Sequence, residues 1–460
     1  MDHPQSEQKH SPRSVPAVSA ILPDGSIVEM VHEDRPPRTS FVVWKDGAWR
    51  REPSVPVGES ERLVPYSAGN NLIVNKVVLF ASEPEEYGSQ AELVAEVGAF
   101  IRRYVDVTPL FEKVATHYVL LSWIYEGFSE LPYLRLRGEP GCGKTRFLLT
   151  VGALCYKPIF ASGASTVSPL FRILDAFRGT LIVDEGDFRL SDERAEIVKI
   201  LNNGNAKGFP VLRTEVSGRK EFNPTAYHVF GPKLVATRRP FEDRALESRC
   251  LTEAMGQYGL RADVPISLPP AYEDEARRLR NKLLLFRFRN LRRVRTDERL
   301  IDPSIEPRLN QVFVPLLSIV DDDDARAGIR ELARSYNREM IGERAAGAEA
   351  QVLGVIREIL ASGGKASVNA IAERFMERHG GEYERAVTPR WIGGIVRTRL
   401  GLRTQKSNGV FVLPPSEEPK LQRLYERYGI ATGVAAAEEA GAEGGGDGAD
   451  ADLQDRASAL

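Results

Sequence analysis

The sequence predicts an α/β fold with a parallel sheet at its centre, a small β-rich module before it and helical segments after it. Three observations predict this. Residues 131–137 alternate as a strand and residues 146–151 begin a helix. Between them lies Gly138-Glu139-Pro140-Gly141-Cys142-Gly143-Lys144-Thr145, which fits the pattern G-x-x-x-x-G-K-[ST]. Two further runs, 180–183 and 233–236, have the continuous character of buried parallel strands and end in polar residues, Asp184-Glu185 and Thr237. Beyond residue 257 the apolar residues recur mostly at helical spacing.

A chain of 460 residues suggests about three domains at ~150 residues each. Its 42% hydrophobic and 27% charged content is that of a globular protein. No apolar run approaches the ~18 residues of a membrane span. The start, Met1-Asp2-His3-Pro4-Gln5, lacks the basic and apolar pattern of a leader. Cys142, Cys155 and Cys250 have no metal-ligand spacing, so neither a zinc site nor a disulfide framework is expected. A cytoplasmic location is the expectation. The net charge of −2 says nothing about nucleic acid, because the charges are unevenly spread.

Residues 1–16 are polar and proline-bearing and are expected to be disordered. Residues 17–85 hold short alternating runs at 18–22, 27–30, 41–44 and 72–80, separated by Pro23-Asp24-Gly25 and Lys45-Asp46-Gly47. This is the β-rich module. It has no acidic triad or Cys/His cluster of a primase or nuclease, and reads as a docking or oligomerisation module. Residues 86–129 form a helical collar, with Leu93, Val97, Phe100 and Ile101 on one stripe and Leu120, Leu121 and Ile124 on the next helix. Trp123 and Tyr125 read as core residues there rather than an adenine platform.

The core, 130–256, carries the chemistry. Successive backbone N–H groups in the glycine loop form an anion-binding nest, and the following helix dipole favours phosphate at the same point. Lys144 would neutralise the β and γ phosphates, and the Thr145 hydroxyl would hold magnesium. Asp184 would hold the same ion through water, and Glu185 would polarise the attacking water. Ser191 is placed to cap the next helix. Extended segments 209–216 and 221–229, joined by Ser217-Gly218-Arg219-Lys220, read as a hairpin with a basic tip. After Thr237 a short helix leads through Phe241-Glu242-Asp243-Arg244-Ala245-Leu246-Glu247-Ser248-Arg249-Cys250.

Loop, Asp-Glu strand end, basic hairpin, hydroxyl-ended strand and D-x-A-L-x-S-R in this order resemble an AAA+ P-loop ATPase. More narrowly, they resemble the replicative helicases of phages, plasmids and mobile elements related to the superfamily 3 and minichromosome-maintenance types. The similarity covers roughly 115–320. It implies ATP and Mg2+ as cofactors. It puts Thr237 at the sensor 1 position, where asparagine is commoner, and Arg249 at the arginine-finger position, with Arg244 as a second candidate. A finger supplied by a neighbouring subunit makes a ring, by analogy a hexamer, the expected active form; such an arginine is worth about 10³ to 10⁵ in rate. Arg219 and Lys220 fall where related motors touch DNA in the central pore, although a solvated turn explains them equally well. Residues 257–345 would form the helical lid, with Arg308 near a helix start as sensor 2. The basic stretch 274–294 could bind nucleic acid, but it reads rather as a solvated face or an interface of a lid helix.

Residues 348–430 show three helical stripes, the third opened by Thr388 and Pro389, and then a Ser407-Asn408-Gly409 hairpin signal. The unit resembles a winged helix-turn-helix domain. Residues 350–430 hold thirteen Lys and Arg against eight Asp and Glu, a net of +5. Arg390, Arg397 and Lys406 would therefore meet DNA, with protein binding as the alternative. Residues 431–460 are Ala, Gly and acid, and are expected to be disordered. Together these features predict an ATP-dependent, ring-forming DNA helicase or translocase serving replication of a mobile element. The alternative is a DNA-binding switch that does not unwind, such as a helicase loader, a transposition targeting factor or a defence ATPase.

Overall fold

The computed structural model describes residues 12–162, 166–184, 191–214, 223–257, 260–383, 387–407 and 409–430. The chain divides into two compact units, 1–333 and 334–460.

The first unit opens with strand β1 (Arg13–Ala17), which begins within the stretch read from sequence as disordered. An antiparallel meander follows: β2 (Ser19–Ile21), β3 (Ile27–Asp34), β4 (Pro37–Lys45) and β5 (Ala48–Glu52). Its turns use left-handed residues, Gly25 at φ 85° and the Asp46-Gly47 pair at 52° and 85°. Strands β6 (Val55–Val57) and β7 (Glu61–Pro65) pair with β1 in the order β1-β7-β6. A single helical turn, α1 (Asn71–Val74), then leads to α2 (Gln90–Tyr104) and α3 (Pro109–Trp123). Ser89 and Glu92 close a capping box on α2, and Thr108 caps α3 ahead of Pro109 at its first position.

The central sheet and its crossings follow in order: β8 (Tyr133–Arg137), α4 (Lys144–Leu154), β9 (Ile159–Ser162), α5 (Val167–Phe177), β10 (Leu181–Asp184), α6 (Ser191–Asn203), the small hairpin β11 (Val211–Arg213) and β12 (Thr225–Tyr227), β13 (Lys233–Thr237), α7 (Arg244–Glu247) and β14 (Cys250–Ala254). Among the described residues five strands pair in the order β14-β8-β13-β10-β9, every pair parallel. Parallel strands bring their C-terminal ends to one edge, so the loop after β8, Asp184 and Thr237 open on the same side. Strand β13 lies between β8 and β10. The β9 edge is covered by residues 77–80, where Phe160 N–H donates to the Val77 carbonyl at 2.9 Å.

Helices α8 (Tyr272–Asn290) and α9 (Pro307–Leu317) follow, and α10 (Asp323–Ala345) runs through the division between the two units. The β-rich module and the central sheet share one apolar core: Val28, Met30 and Phe41 lie in the same cluster as Ile159, Phe171, Leu181 and Val235. Trp123 is buried and donates its indole N–H to the Leu154 carbonyl at 2.8 Å, and the Tyr125 hydroxyl donates to that of Arg178. The basic stretch 274–294 is largely engaged within the chain. Arg280 is buried on the Phe80 and Ala153 carbonyls, Lys282 pairs with Glu96, and Arg289 pairs with Glu86 at 2.7 Å. These cations are held by the fold, which weakens the nucleic-acid reading of that helix.

The second unit contains α11 (Ala348–Ala361), α12 (Val368–His379), α13 (Pro389–Gly394), the antiparallel pair β15 (Gln405–Ser407) and β16 (Val410–Val412), and α14 (Glu418–Arg427). Its own core joins Val352, Ile356, Ile371, Phe375, Ile392 and Val396. Asn408 is outside the described residues.

Candidate functional site

The loop between β8 and α4 needs its glycines. Gly141 and Gly143 sit at φ 85° and 95°, where other residues are strained. A Cβ on Gly138 would come within 2.8 Å of Cys142 Sγ and of the Met255 carbonyl oxygen. Gly143 caps α4 without a side-chain acceptor, so the first N–H groups of the helix keep their capacity for a ligand oxygen. Lys144 Nζ hooks back over the loop, donating to the carbonyls of Gly138 at 2.6 Å and Glu139 at 2.8 Å.

Thr145 Oγ1 donates to Asp184 Oδ2 at 2.7 Å. The hydroxyl that follows the loop lysine and the carboxylate that ends β10 therefore meet across the strand between them. One hydroxyl and one carboxylate oxygen so close together suit a small hard cation that takes its other ligands from water and phosphate, as Mg2+ does. Among the described residues no cluster of three or more His, Cys, Asp or Glu could hold a metal unaided. Thr237 ends β13 opposite Arg137 in register; it is buried, and its hydroxyl has no hydrogen-bond partner. Glu185, Arg219 and Lys220 lie outside the described residues; of the expected hairpin, β11 and β12 are described and pair antiparallel.

Sequence reasoning missed the wall of this loop. Just past β14, Met255 N–H donates to the Arg137 carbonyl at 2.7 Å. A Cβ on Gly256, at φ 82°, would stand 2.9 Å from Cys142 Cβ. Cys142 is thus packed between this turn and Lys144, whose Nζ is 3.7 Å from its sulfur.

A second group gathers around α7. Asp243 caps this turn, accepting from Ala245 N–H at 2.8 Å. Arg244 is exposed at its start. Arg249 is half-buried: its Nη1 donates to the Asn202 carbonyl at 3.0 Å and to Asn202 Oδ1 at 2.8 Å, while its Nε is shielded without a partner. Burial, and then repulsion from nearby Arg308, lower the Arg249 pKa. Arg308 Nη2 donates to the Ala245 carbonyl at 2.9 Å, so the structure ties it to α7, beside Arg249. Beneath them Arg135 of β8, buried, makes a bidentate pair with Glu247, donates Nε to Thr252 Oγ1 at 3.0 Å and lies over the Phe241 ring. The alternation in β8 gave no hint that Arg135 faces inward.

In the second unit Arg390 is exposed near the start of α13. That helix continues into a π-helical turn, Ile395–Arg399, and Arg397 lies over the Phe411 ring, 5.6 Å from its centroid. Gly393 leaves room for this guanidinium; a Cβ there would come within 2.7 Å of Arg397 Nη2. Lys406 is exposed and sits opposite Phe411 in the strand register.

A glycine loop after the first strand of a five-stranded parallel sheet, with a carboxylate ending a second strand beside it, defines an α/β protein with a P-loop-type core. No family model matches the chain, and no curated protein matches it. Among solved structures it is similar to the active helicase Cch of SCCmec type IV, with 12% identity over 89% of this chain and 80% of that one and a TM-score of 0.38. It is also similar to the C-terminal region of NrS-1, with 11% identity over 84% and 96% and a TM-score of 0.36. An MCM homologue from Methanopyrus kandleri gives 14% identity over 70% and 80% and a TM-score of 0.35. These likenesses are loose. Among the described residues no helix is long and apolar enough to cross a membrane.

Proposed function

We propose that this protein is an AAA+ ATPase that forms a ring, a hexamer by analogy, and works as a DNA helicase or translocase in replication of a mobile element. The single observation that carries the reading is the Thr145–Asp184 hydrogen bond beside Lys144. It pairs the hydroxyl and carboxylate that a Mg2+–triphosphate requires. Lys144 offsets phosphate charge, Thr145 and Asp184 hold Mg2+, and Glu185 orients water. Thr237 stands at the same sheet edge as a further polar group. MgATP, when bound, supplies the phosphoanhydride whose hydrolysis drives movement.

Arg308 is bonded to α7 and Arg249 follows that turn, so two cations gather there, and the charge of Arg308 adds to burial in lowering the Arg249 pKa. An anion brought to these two cations offsets their charge. A neighbouring subunit's nucleotide is the anion a ring would present, so we assign both arginines to the adjoining site; Arg244 is the second candidate. The hairpin tip with Arg219 and Lys220 would face DNA in the pore. Helices α11 to α13 with β15 and β16 support a winged-helix reading, in which Arg390, Arg397 and Lys406 meet phosphates.

The test is fork unwinding measured beside ATPase activity with and without single-stranded DNA. The expected outcome is DNA-stimulated hydrolysis with strand separation. Strong hydrolysis with neither DNA stimulation nor unwinding would favour the non-unwinding switch.

A further inference from the structure

We infer that Asn202, and Glu247 acting through Arg135, are positioning residues that preset Arg249 before subunits assemble. This rests on the reading of Arg249 as an arginine donated to a neighbour. Helix α7 has only four residues, and one helical turn has no stability of its own. Its direction must come from what grips it.

Three grips are visible. Leu246 is fully buried beneath the turn. Asp243 caps its start, and Asn202 Nδ2 donates to Asp243 Oδ2 at 2.8 Å. Glu247, at its end, receives both Nη groups of Arg135 and also the Phe241 N–H at 2.8 Å. Packing alone does not call for a buried ion pair, since apolar residues of similar volume serve as well. A bidentate guanidinium–carboxylate pair adds direction, because two parallel bonds fix both planes. Arg135 belongs to β8, the strand that runs into the glycine loop, so α7 is aligned to the same strand as the nucleotide site.

Arg249 follows two residues after α7. Its carbonyl accepts from Tyr133 N–H of β8 at 2.9 Å, which locks its backbone. Its side chain is then held at one nitrogen by two oxygens of Asn202. Asn202 thus grips the turn through Asp243 and the guanidinium directly. An arginine side chain carries much rotamer entropy, and ordering it in advance removes that cost from the encounter.

The experiment uses mixtures of full-length chains. A Lys144→Ala chain cannot use its own pocket but still offers Arg249; an Arg249→Ala chain has the pocket and no arginine. Mixing them should recover ATPase activity. Adding Asn202→Ala or Glu247→Gln to the Lys144→Ala chain should lower the recovered kcat about tenfold. The same changes on the Arg249→Ala chain should leave kcat unaltered, with KM unchanged in both arrangements. Equal losses on either chain, or no loss on the donating chain, would overturn the positioning role. Absence of recovery in the parent mixture would instead remove the donated-arginine reading itself. If Glu247→Gln fails to fold, Asn202→Ala, at a half-exposed position, decides the matter alone.

Discussion

Arg287 Nε lies 2.7 Å from Glu29 Oε1, and both side chains are 2% exposed. The two residues come from α8 and β3. Arg287 also pairs with Glu126, while Glu29 accepts from the Tyr156 hydroxyl at 2.8 Å and faces Lys157 Nζ at 3.2 Å. Two acids and two cations therefore join the β-rich module, the collar, the strand entry to β9 and the helix after the core. Burial pushes the Lys157 ammonium down to about 8, with the charge of Glu29 opposing that shift. This network makes the N-terminal strands an integral part of the first unit.

Glu29→Gln removes the charge on which Arg287 and Lys157 both depend. Breaking a buried pair from one side costs about 3–5 kcal/mol. The urea midpoint of the first unit should fall accordingly. Glu29→Leu combined with Arg287→Met should lose less than the sum of the two single changes, because the second change removes a charge that the first leaves without its partner. Additive losses in that double-mutant cycle would show that the pair is energetically independent.

Lys233 gives a pH dependence. It is buried at the start of β13, donating Nζ to the carbonyls of Gly204, Val229 and Gly231 with no carboxylate among the described residues bonded to it, and burial pushes its pKa down from 10.5 to about 7. Between those values the unfolded chain keeps a proton that the folded chain has released. Raising the pH through this window therefore favours the folded state, and below about 7 both states carry the proton and that increment is gone. The denaturation midpoint of the native protein should rise from pH 7 to 9.5 relative to that of Lys233→Met. Parallel midpoints would mean that Lys233 is charged throughout.

The glycine loop, the strand ends at Asp184 and Thr237 and the three apolar stripes of the second unit were legible because each depends on local order: a motif, a run or a period. The loop geometry follows from glycines only a few residues apart. The ion network was not legible, since Glu29 and Arg287 are 258 positions apart and nothing local distinguishes either from a surface charge. Arg135 was hidden for a related reason. Its place between Leu134 and Leu136 reads as an outward residue on a half-exposed strand, but β8 has neighbours on both edges and is covered on both faces. The basic residues of α8 left an outer face and a packing interface both open, because their partners, such as Glu29 for Arg287 and Glu86 for Arg289, come from distant elements. Arg308 was expected as sensor 2 of the lid, and only the fold shows that it is bonded to α7 near Arg249.

Variants around the Thr145–Asp184 hydrogen bond can test binding apart from turnover. Lys144→Ala removes the cation over the loop and should abolish the thermal shift produced by ATP. Asp184→Asn keeps a side-chain oxygen for Thr145 but loses the charge that would hold Mg2+. It should retain nucleotide binding in EDTA and lose the extra stabilisation Mg2+ confers, with hydrolysis down about 100-fold or more. Mg2+-dependent stabilisation that survives in Asp184→Asn would move the metal site elsewhere.

Arg249→Ala and Arg308→Ala test whether the cationic pair acts as one group. Each should leave ATP affinity near the native value, since neither is bonded to the glycine loop. Each should lower kcat, Arg249→Ala by about 10³ on the scale of donated arginines. The double variant should fall little further than Arg249→Ala, as expected for groups acting on one charge. Full additivity would place Arg308 at a different site.

The second unit can be probed through salt. Arg397 rests on Phe411, and Lys406 stands opposite that ring, so the three present one basic and aromatic surface. If these cations meet phosphates, each contact releases about one counterion and contributes about one to the slope of log affinity against log salt. Fluorescence anisotropy of the full chain on duplex DNA, between about 50 and 200 mM salt, should show that slope reduced by about one in Arg397→Ala and in Lys406→Ala. Phe411→Ala should weaken binding through loss of the support beneath Arg397, with a smaller change in slope. Slopes identical to the native protein in all three variants would assign this face to a protein partner instead of DNA.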